Sequence, residues 1–220
     1  MSIRSRCLSI GLLLTLCGSA FAQDDGPYFG AGIGQSRVAV PFNCAELAGL
    51  FNPGYSCSTT SDTDAAWKIF GGYQVNRIVT FEVSYVNLGA TVTSASGTAN
   101  VGVTPAPVAA SDKISTTGFN FDVILSAQIT EAFSLLARAG LFTWTQQTRV
   151  SASAGSPNAG SIQGHGATGQ SLDLGIGARY AFNRKVGARV EFQRFKDVGG
   201  DKLGKSDIDL ISASLIYHFE

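Results

Sequence analysis

Residues 170–195 read QSLDLGIGARYAFNRKVGARVEFQRF, two alternating runs that meet at the polar turn Asn183-Arg184-Lys185. In the first run Leu172, Leu174, Ile176, Ala178 and Tyr180 share one face, while Asp173, Gly175, Gly177 and Arg179 share the other. A period of two marks a strand, because successive side chains leave opposite sides of the pleat. In the second run Val186, Ala188, Val190 and Phe192 alternate with Gly187, Arg189, Glu191 and Gln193. The segment therefore predicts a β-hairpin with one apolar face and one face carrying two arginines and two carboxylates.

The same alternation recurs along the chain. Phe29, Ala31 and Ile33 oppose Tyr28, Gly30, Gly32 and Gly34; Trp67, Ile69 and Tyr73 oppose Ala66, Lys68, Phe70 and Gln74; Val79, Phe81, Val83 and Tyr85 oppose Thr80, Glu82 and Ser84. Further on, Phe119, Phe121, Val123 and Leu125 oppose Asn120, Asp122 and Ser126, and Leu135, Ala137, Ala139 and Leu141 oppose Arg138 and Gly140. The last run sets Ile211, Ala213, Leu215, Tyr217 and Phe219 against Ser212, Ser214 and His218. With the opening hairpin this makes eight strands, joined alternately by short turns and by long loops at 41–63, 89–112, 151–167 and 196–206. Residues 89–112 are a small-residue, low-complexity stretch with two prolines and read as a mobile loop. A faint internal repeat, Tyr73-Gln-Val-Asn-Arg77 and Tyr180-Ala-Phe-Asn-Arg184, closes the second and sixth strands, which a barrel would place on opposite walls. The Gly30, Gly32, Gly34 spacing is followed by no helix, so it reads as strand packing and not as a dinucleotide site; no cofactor is expected.

Composition narrows the setting. The 220 residues include 26 Gly, 14 Phe and a single Met, with only 15% charged, a profile suited to strands and turns. Residues 1–22 read as a secretory signal, with Arg4 and Arg6 before the apolar run 8–16 and Ala20-Phe21-Ala22 as the cleavage site. The mature domain is then 23–220. Removing two arginines takes Lys+Arg from 16 to 14 against 16 Asp+Glu, a net charge of −2 that argues against nucleic acid as a partner. Beyond the signal no stretch approaches the ~18 apolar residues of a membrane helix, so any membrane span must consist of strands. Export to an oxidising compartment makes a Cys44 to Cys57 disulfide the expected state. Its loop of about 14 residues would contribute on the order of 3 kcal/mol. A metal site is not expected, since His165 and His218 are the only histidines available.

The decisive question is which face meets which solvent. Gly30, Gly32, Gly34, Gly72, Gly118, Gly140, Gly175, Gly177 and Gly187 all share the charged side. A water-facing sheet has no need of glycine, which weakens strands, whereas a narrow interior threaded by long side chains does. Charge and glycine are therefore read as inside, and the apolar face as facing lipid. Lys68, Glu82, Asp122, Arg138, Asp173, Arg179, Arg189 and Glu191 are four cations and four anions, able to neutralise one another as a lumenal ion network.

These features resemble the eight-stranded transmembrane domain of OmpA-type outer membrane proteins. The resemblance is carried by Phe70-Gly-Gly-Tyr-Gln74, Phe81-Glu82-x-x-Tyr85, Ile129-Thr130 with Arg138-x-Gly140, Arg189-x-Glu191-x-Gln193 and the terminal Tyr217-x-Phe219. It implies an all-β, antiparallel up-and-down transmembrane barrel of eight strands, both termini in the periplasm, four external loops and residence in the Gram-negative outer membrane. It further implies that Glu82, Arg138, Arg189 and Glu191 form conduction-limiting ion pairs, and that Tyr217 and Phe219 are read by the barrel-assembly machinery. Similar barrels often carry an acid at the position of Arg179, so its pairing is expected to shift towards Asp173 or Asp122. With the chain ending at Glu220, no periplasmic peptidoglycan-binding domain is expected.

The function read from this is structural or surface-interacting, with a plugged lumen and no enzymatic activity, in a monomer. The expected partners are outer membrane lipids, lipopolysaccharide at Arg194 and Lys196, and host or phage surface ligands at the loops. A small gated, porin-like channel is the alternative. A lipid-modifying enzyme is disfavoured, because it needs a nucleophile and base together near the outer leaflet, whereas His218 lies near the C-terminal, periplasmic end and His165 sits in a Gly-rich loop with no Ser or acid partner.

Overall fold

Strand alternation does govern the architecture. The computed structural model describes residues 26–38, 56–61, 63–101, 104–154, 160–163, 166–200 and 205–219. Its strands are β1 (Gly26–Val38), β2 (Ser56–Ser61), β3 (Thr63–Gln74), β4 (Val79–Val101), β5 (Thr104–Gln128), β6 (Phe133–Ala154), β7 (Gly160–Gln163), β8 (Ala167–Ala181), β9 (Val186–Val198) and β10 (Ser206–His218). Eight of them close a ring in the order β3, β1, β10, β9, β8, β6, β5, β4 and back to β3, every pair antiparallel. Closure leaves no free strand edge within the barrel wall, which is what hydrocarbon demands of a sheet. Among the described residues no helix is long and apolar enough to cross a membrane.

The outward face is a belt of large apolar side chains: Phe29 and Ile33 on β1, Ile69 on β3, Phe121 on β5, Leu141 on β6, Ile176 on β8, Leu215 on β10, all exposed. Aromatic rings border it. Tyr73, Tyr180, Phe182, Tyr217 and Phe219 lie beside the short turns, and Trp67, Tyr85 and Phe119 form a row at the other edge, with centroids 5.6 and 5.2 Å apart. Two such girdles are what a lipid-facing barrel presents. The register Val83, Phe121, Leu141 puts Phe121 inside this belt. Phe121→Arg is expected to cost about 2–4 kcal/mol in urea unfolding from lipid vesicles. A neutral result would mean that this face meets water.

The turns at 75–78, 129–132 and 182–185 are locked by side-chain oxygens. Asn76 Oδ1 accepts from the Ile78 and Val79 N–H groups at 2.8 and 2.9 Å, and Asn183 Oδ1 from Lys185 and Val186 at 2.9 and 2.8 Å. The sequence repeat is therefore one turn chemistry used twice, and β3 and β8 stand four places apart in the ring of eight.

One expectation fails. Most of 89–112 is not a loop: β4 and β5 run as a paired hairpin of 23 and 25 residues, out to Val101 and Thr104. That is roughly twice the ~9–11 residues of a tilted membrane strand. The strand leaves the belt at a bulge around Gly89, whose φ of 75° suits glycine and where a Cβ would come 2.7 Å from the Ala65 carbonyl. Asn87 Oδ1 and Asp64 Oδ2 take the N–H groups of Gly89 and Ala90 there. β2 pairs with this extension on one side, and β6 with β7 on the other, so among the described residues one wall of the barrel stands well above the rest. Among the described residues β6 joins β5 only from Val108 onward, so Pro105 and Pro107 lie beyond that pairing, where a missing N–H is tolerated.

Candidate functional site

The lumen is built by the inward phase of the strands. Arg138 on β6 is its centre: Nη1 donates to Glu191 Oε1 at 2.8 Å, and Nη2 to Glu82 Oε1 at 2.9 Å and to Asp122 Oδ2; Nε lies 3.6 Å from Asp173 Oδ2. Arg189 on β9 grips Glu82 with both terminal nitrogens, at 2.8 and 3.1 Å, with Nε 3.0 Å from Glu191 Oε2. Its guanidinium lies 4.3 Å from the Phe70 ring centroid. Lys68 Nζ on β3 donates to Glu191 Oε2 at 2.6 Å and to Gln193 Oε1 at 2.7 Å.

Seven of the eight sequence-predicted residues meet in this cluster, each no more than 5% exposed. Burying so many charges is tolerable only because each carboxylate takes several donors. Tyr28 Oη donates to Glu82 at 2.6 Å; Asn120 Nδ2 donates to Asp122 and Asp173 at 2.8 and 2.6 Å; Gln193 Nε2 donates to Asp173 at 2.9 Å. Glycine makes the room. A Cβ on Gly175 would stand 2.9 Å from Arg138 Cδ, and one on Gly140 would collide with Asp122 Oδ1.

Arg179 is the exception, and neither Asp173 nor Asp122 pairs with it. Asp173 lies six residues along the same strand, roughly 20 Å away at the ~3.3 Å rise of a strand. Asp122 sits opposite Gly140 and Arg179 opposite Ser134, a comparable separation. Arg179 instead donates to Gln74 Oε1 at 3.5 Å and lies 2.8 Å from His218 Nε2, near the turn end of the barrel.

A second layer, absent from the sequence reading, packs inside the barrel on the side away from the short turns. Phe142 and Phe195, both fully buried, pack with ring centroids 4.5 Å apart and planes tilted by 46°, and Trp144, Val86, Leu88, Val198, Ile208 and Leu210 surround them. Trp144 Nε1 donates to Ser171 Oγ at 2.8 Å. The signal was present in the sequence: Phe142 and Trp144 share the phase of Arg138, and Phe195 that of Arg189 and Glu191. Tyr28, Asn120 and Gln193 were likewise in phase but not counted.

Outside the belt, Arg194 clasps Asp209 at 2.6 and 2.7 Å, Lys196 pairs with Asp207 at 3.0 Å, and Arg37 registers against Asp209. The hydrogen bond from Lys196, then that from the Asp197 N–H, holds the Asp207 carboxyl below the ordinary carboxylate range. Because the folded value is the depressed one, this contribution is present above the unfolded pKa and is lost as pH falls through the folded one. For so exposed a pair, Asp207→Asn should cost under about 1 kcal/mol, with an acid-shifted Asp207 titration by NMR as the direct check.

Among the described residues no group of His, Cys, Asp and Glu is arranged to hold a metal. Residues 1–25, Cys44 and His165 lie outside the described residues, as does the side chain of Cys57, so the signal and the disulfide gain no structural account.

Comparison with known proteins follows this geometry. Solved barrels similar to the chain include Neisserial surface protein A (TM-score 0.48, 15% identity, 88% of this chain and 97% of that one). Others are Ail of Yersinia pestis, crystallised with the heparin analogue sucrose octasulfate (0.43, 12%, 88% and 99%), and the N-terminal barrel domain of Pseudomonas aeruginosa OprF (0.43, 13%, 89% and 98%). No curated protein sequence matches. The OmpA-like transmembrane domain matches residues 22–220, nearly the whole chain. The chain belongs to the OmpA-like transmembrane domain family and is an integral β-barrel of the Gram-negative outer membrane.

Proposed function

We propose that this barrel is a closed, monomeric, non-enzymatic anchor that presents a β-sheet platform above the outer membrane for contact with external ligands. The observation that carries the reading is the one-sided extension among the described residues, in which β2, β4, β5, β6 and β7 continue a paired sheet past the belt. The lumen supports an anchor and not a pore: the Arg138 cluster blocks its middle and the Phe142 and Phe195 layer its outer part. Cells displaying the full chain, and cells in which 90–115 is replaced by a short turn, would be compared on arrays of glycans and matrix proteins. The platform reading expects adhesion only with the full chain while both forms stay heat-modifiable on gels; identical adhesion sinks it.

The rim cations Arg194 and Lys196 act as contacts for lipopolysaccharide phosphate, an arrangement supported by their half-exposed position just beyond the apolar belt. Unchanged lipopolysaccharide binding in an Arg194→Ala, Lys196→Ala double variant would reject it. Tyr217 and Phe219 serve as the assembly signal. They project outward at the turn end, 5.9 and 5.6 Å from Phe29, where a recognising machine can reach them. Phe219→Ala is expected to lower the amount of folded barrel in cells without impairing refolding in detergent; equal amounts in cells would overturn the assignment.

A further inference from the structure

We propose that the turn-side mouth of the lumen is a binding site for a single small anion of about chloride size, held by Arg179. Arg179 and Arg189 are directly opposite one another in the pairing of β8 with β9 and both turn inward, an arrangement in which like charges repel. Arg189 is neutralised by Glu82 and Glu191. Arg179 is not: its hydrogen-bonding partners are the uncharged Gln74 amide and the ring of His218, and among the described residues no carboxylate pairs with it. A guanidinium only donates, so in this contact the ring nitrogen of His218 is the acceptor.

The ion network cannot supply the missing charge. It comprises three cations (Lys68, Arg138, Arg189) and four carboxylates (Glu82, Asp122, Asp173, Glu191), one negative charge in excess. That excess lies with Asp122 and Asp173, which share Asn120, on the far side of Arg138 and roughly 20 Å along the strands from Arg179. A part-buried guanidinium without a counter-charge carries a desolvation cost, and a diffusible anion offsets it.

The space for it exists. Arg179 and Arg189 line a cavity of about 10 Å³ with the hydroxyls of Thr80 and Ser126 and the apolar walls of Ile124 and Leu136. That volume admits one water-sized occupant. The hydroxyls can donate to an anion while the cations supply the attraction. The size selects a halide-sized ion over a bulky organic anion.

The test is a titration of the full chain, isotope-labelled and refolded in zwitterionic micelles, with sodium chloride against sodium gluconate at matched ionic strength. Chloride is expected to produce saturable NMR shifts at the Arg179 Nε–H and at the amides of Thr80 and Ser126, and gluconate none. Arg179→Gln should abolish the saturable response while retaining the heat-modifiable gel shift, and Arg179→Lys should keep it with altered affinity. Non-saturating shifts, equal shifts with gluconate, or a response surviving in Arg179→Gln would each overturn the site. Should Arg179→Gln fail to fold, the chloride and gluconate arms on the unaltered chain still decide.

Discussion

Arg138→Leu is expected to destabilise the barrel by about 3–5 kcal/mol, the cost of removing one partner from a buried charged cluster. The magnitude follows from what is left behind. Glu82, Glu191 and Asp122 each lose a direct hydrogen bond, and Asp173 loses its nearest cation, all at buried side chains. Arg189 still holds Glu82 and Lys68 still holds Glu191, so the variant should fold but unfold at lower urea concentration from lipid vesicles. A loss below about 1 kcal/mol, typical of exposed pairs, would mean that the cluster is solvated and not sealed.

Phe142→Ala is expected to cost a similar amount, about 3–5 kcal/mol, for a different reason. Phe142 is fully buried against Phe195, with Trp144 beside it, and its neighbours belong to a rigid ring of strands that cannot collapse into the space. The same unfolding assay reads it. The lipid-facing Ile33→Ala, at 75% exposure, provides the contrast: it removes an apolar side chain without opening a cavity and should cost far less. Equal losses at the two sites would argue against a packed layer inside the lumen.

The two positions illustrate what could be read from the sequence. Alternation identifies the face of every side chain, so Arg138, Glu82, Glu191 and their partners were recognisable as one inward set, and the glycines beside them indicated a crowded interior. Alternation does not reveal depth. Arg179 has the right phase and sits at the mouth, roughly 20 Å along the strand from the aspartate expected to pair with it. Counting from the Asn183 turn would have placed it, since it lies just four residues from that fixed point. Phase also carries the aromatic layer, but the alternation read on this strand ends at Leu141, before Phe142 and Trp144.

The β4 and β5 extension was hidden for a different reason. Its residues are small, its apolar pattern is weak, and it contains Pro105 and Pro107, all features of loops. What orders it is backbone pairing with β2, β6 and each other, and main-chain hydrogen bonds leave little trace in side-chain composition.

A lumen filled at two levels, by ions around Arg138 and by rings around Phe142 and Phe195, should not conduct. Single-channel recording of the refolded chain in planar bilayers tests it most directly. No sustained conductance is expected from the unaltered barrel, since either layer alone would close the path. A stable open-channel current would mean that neither layer seals it.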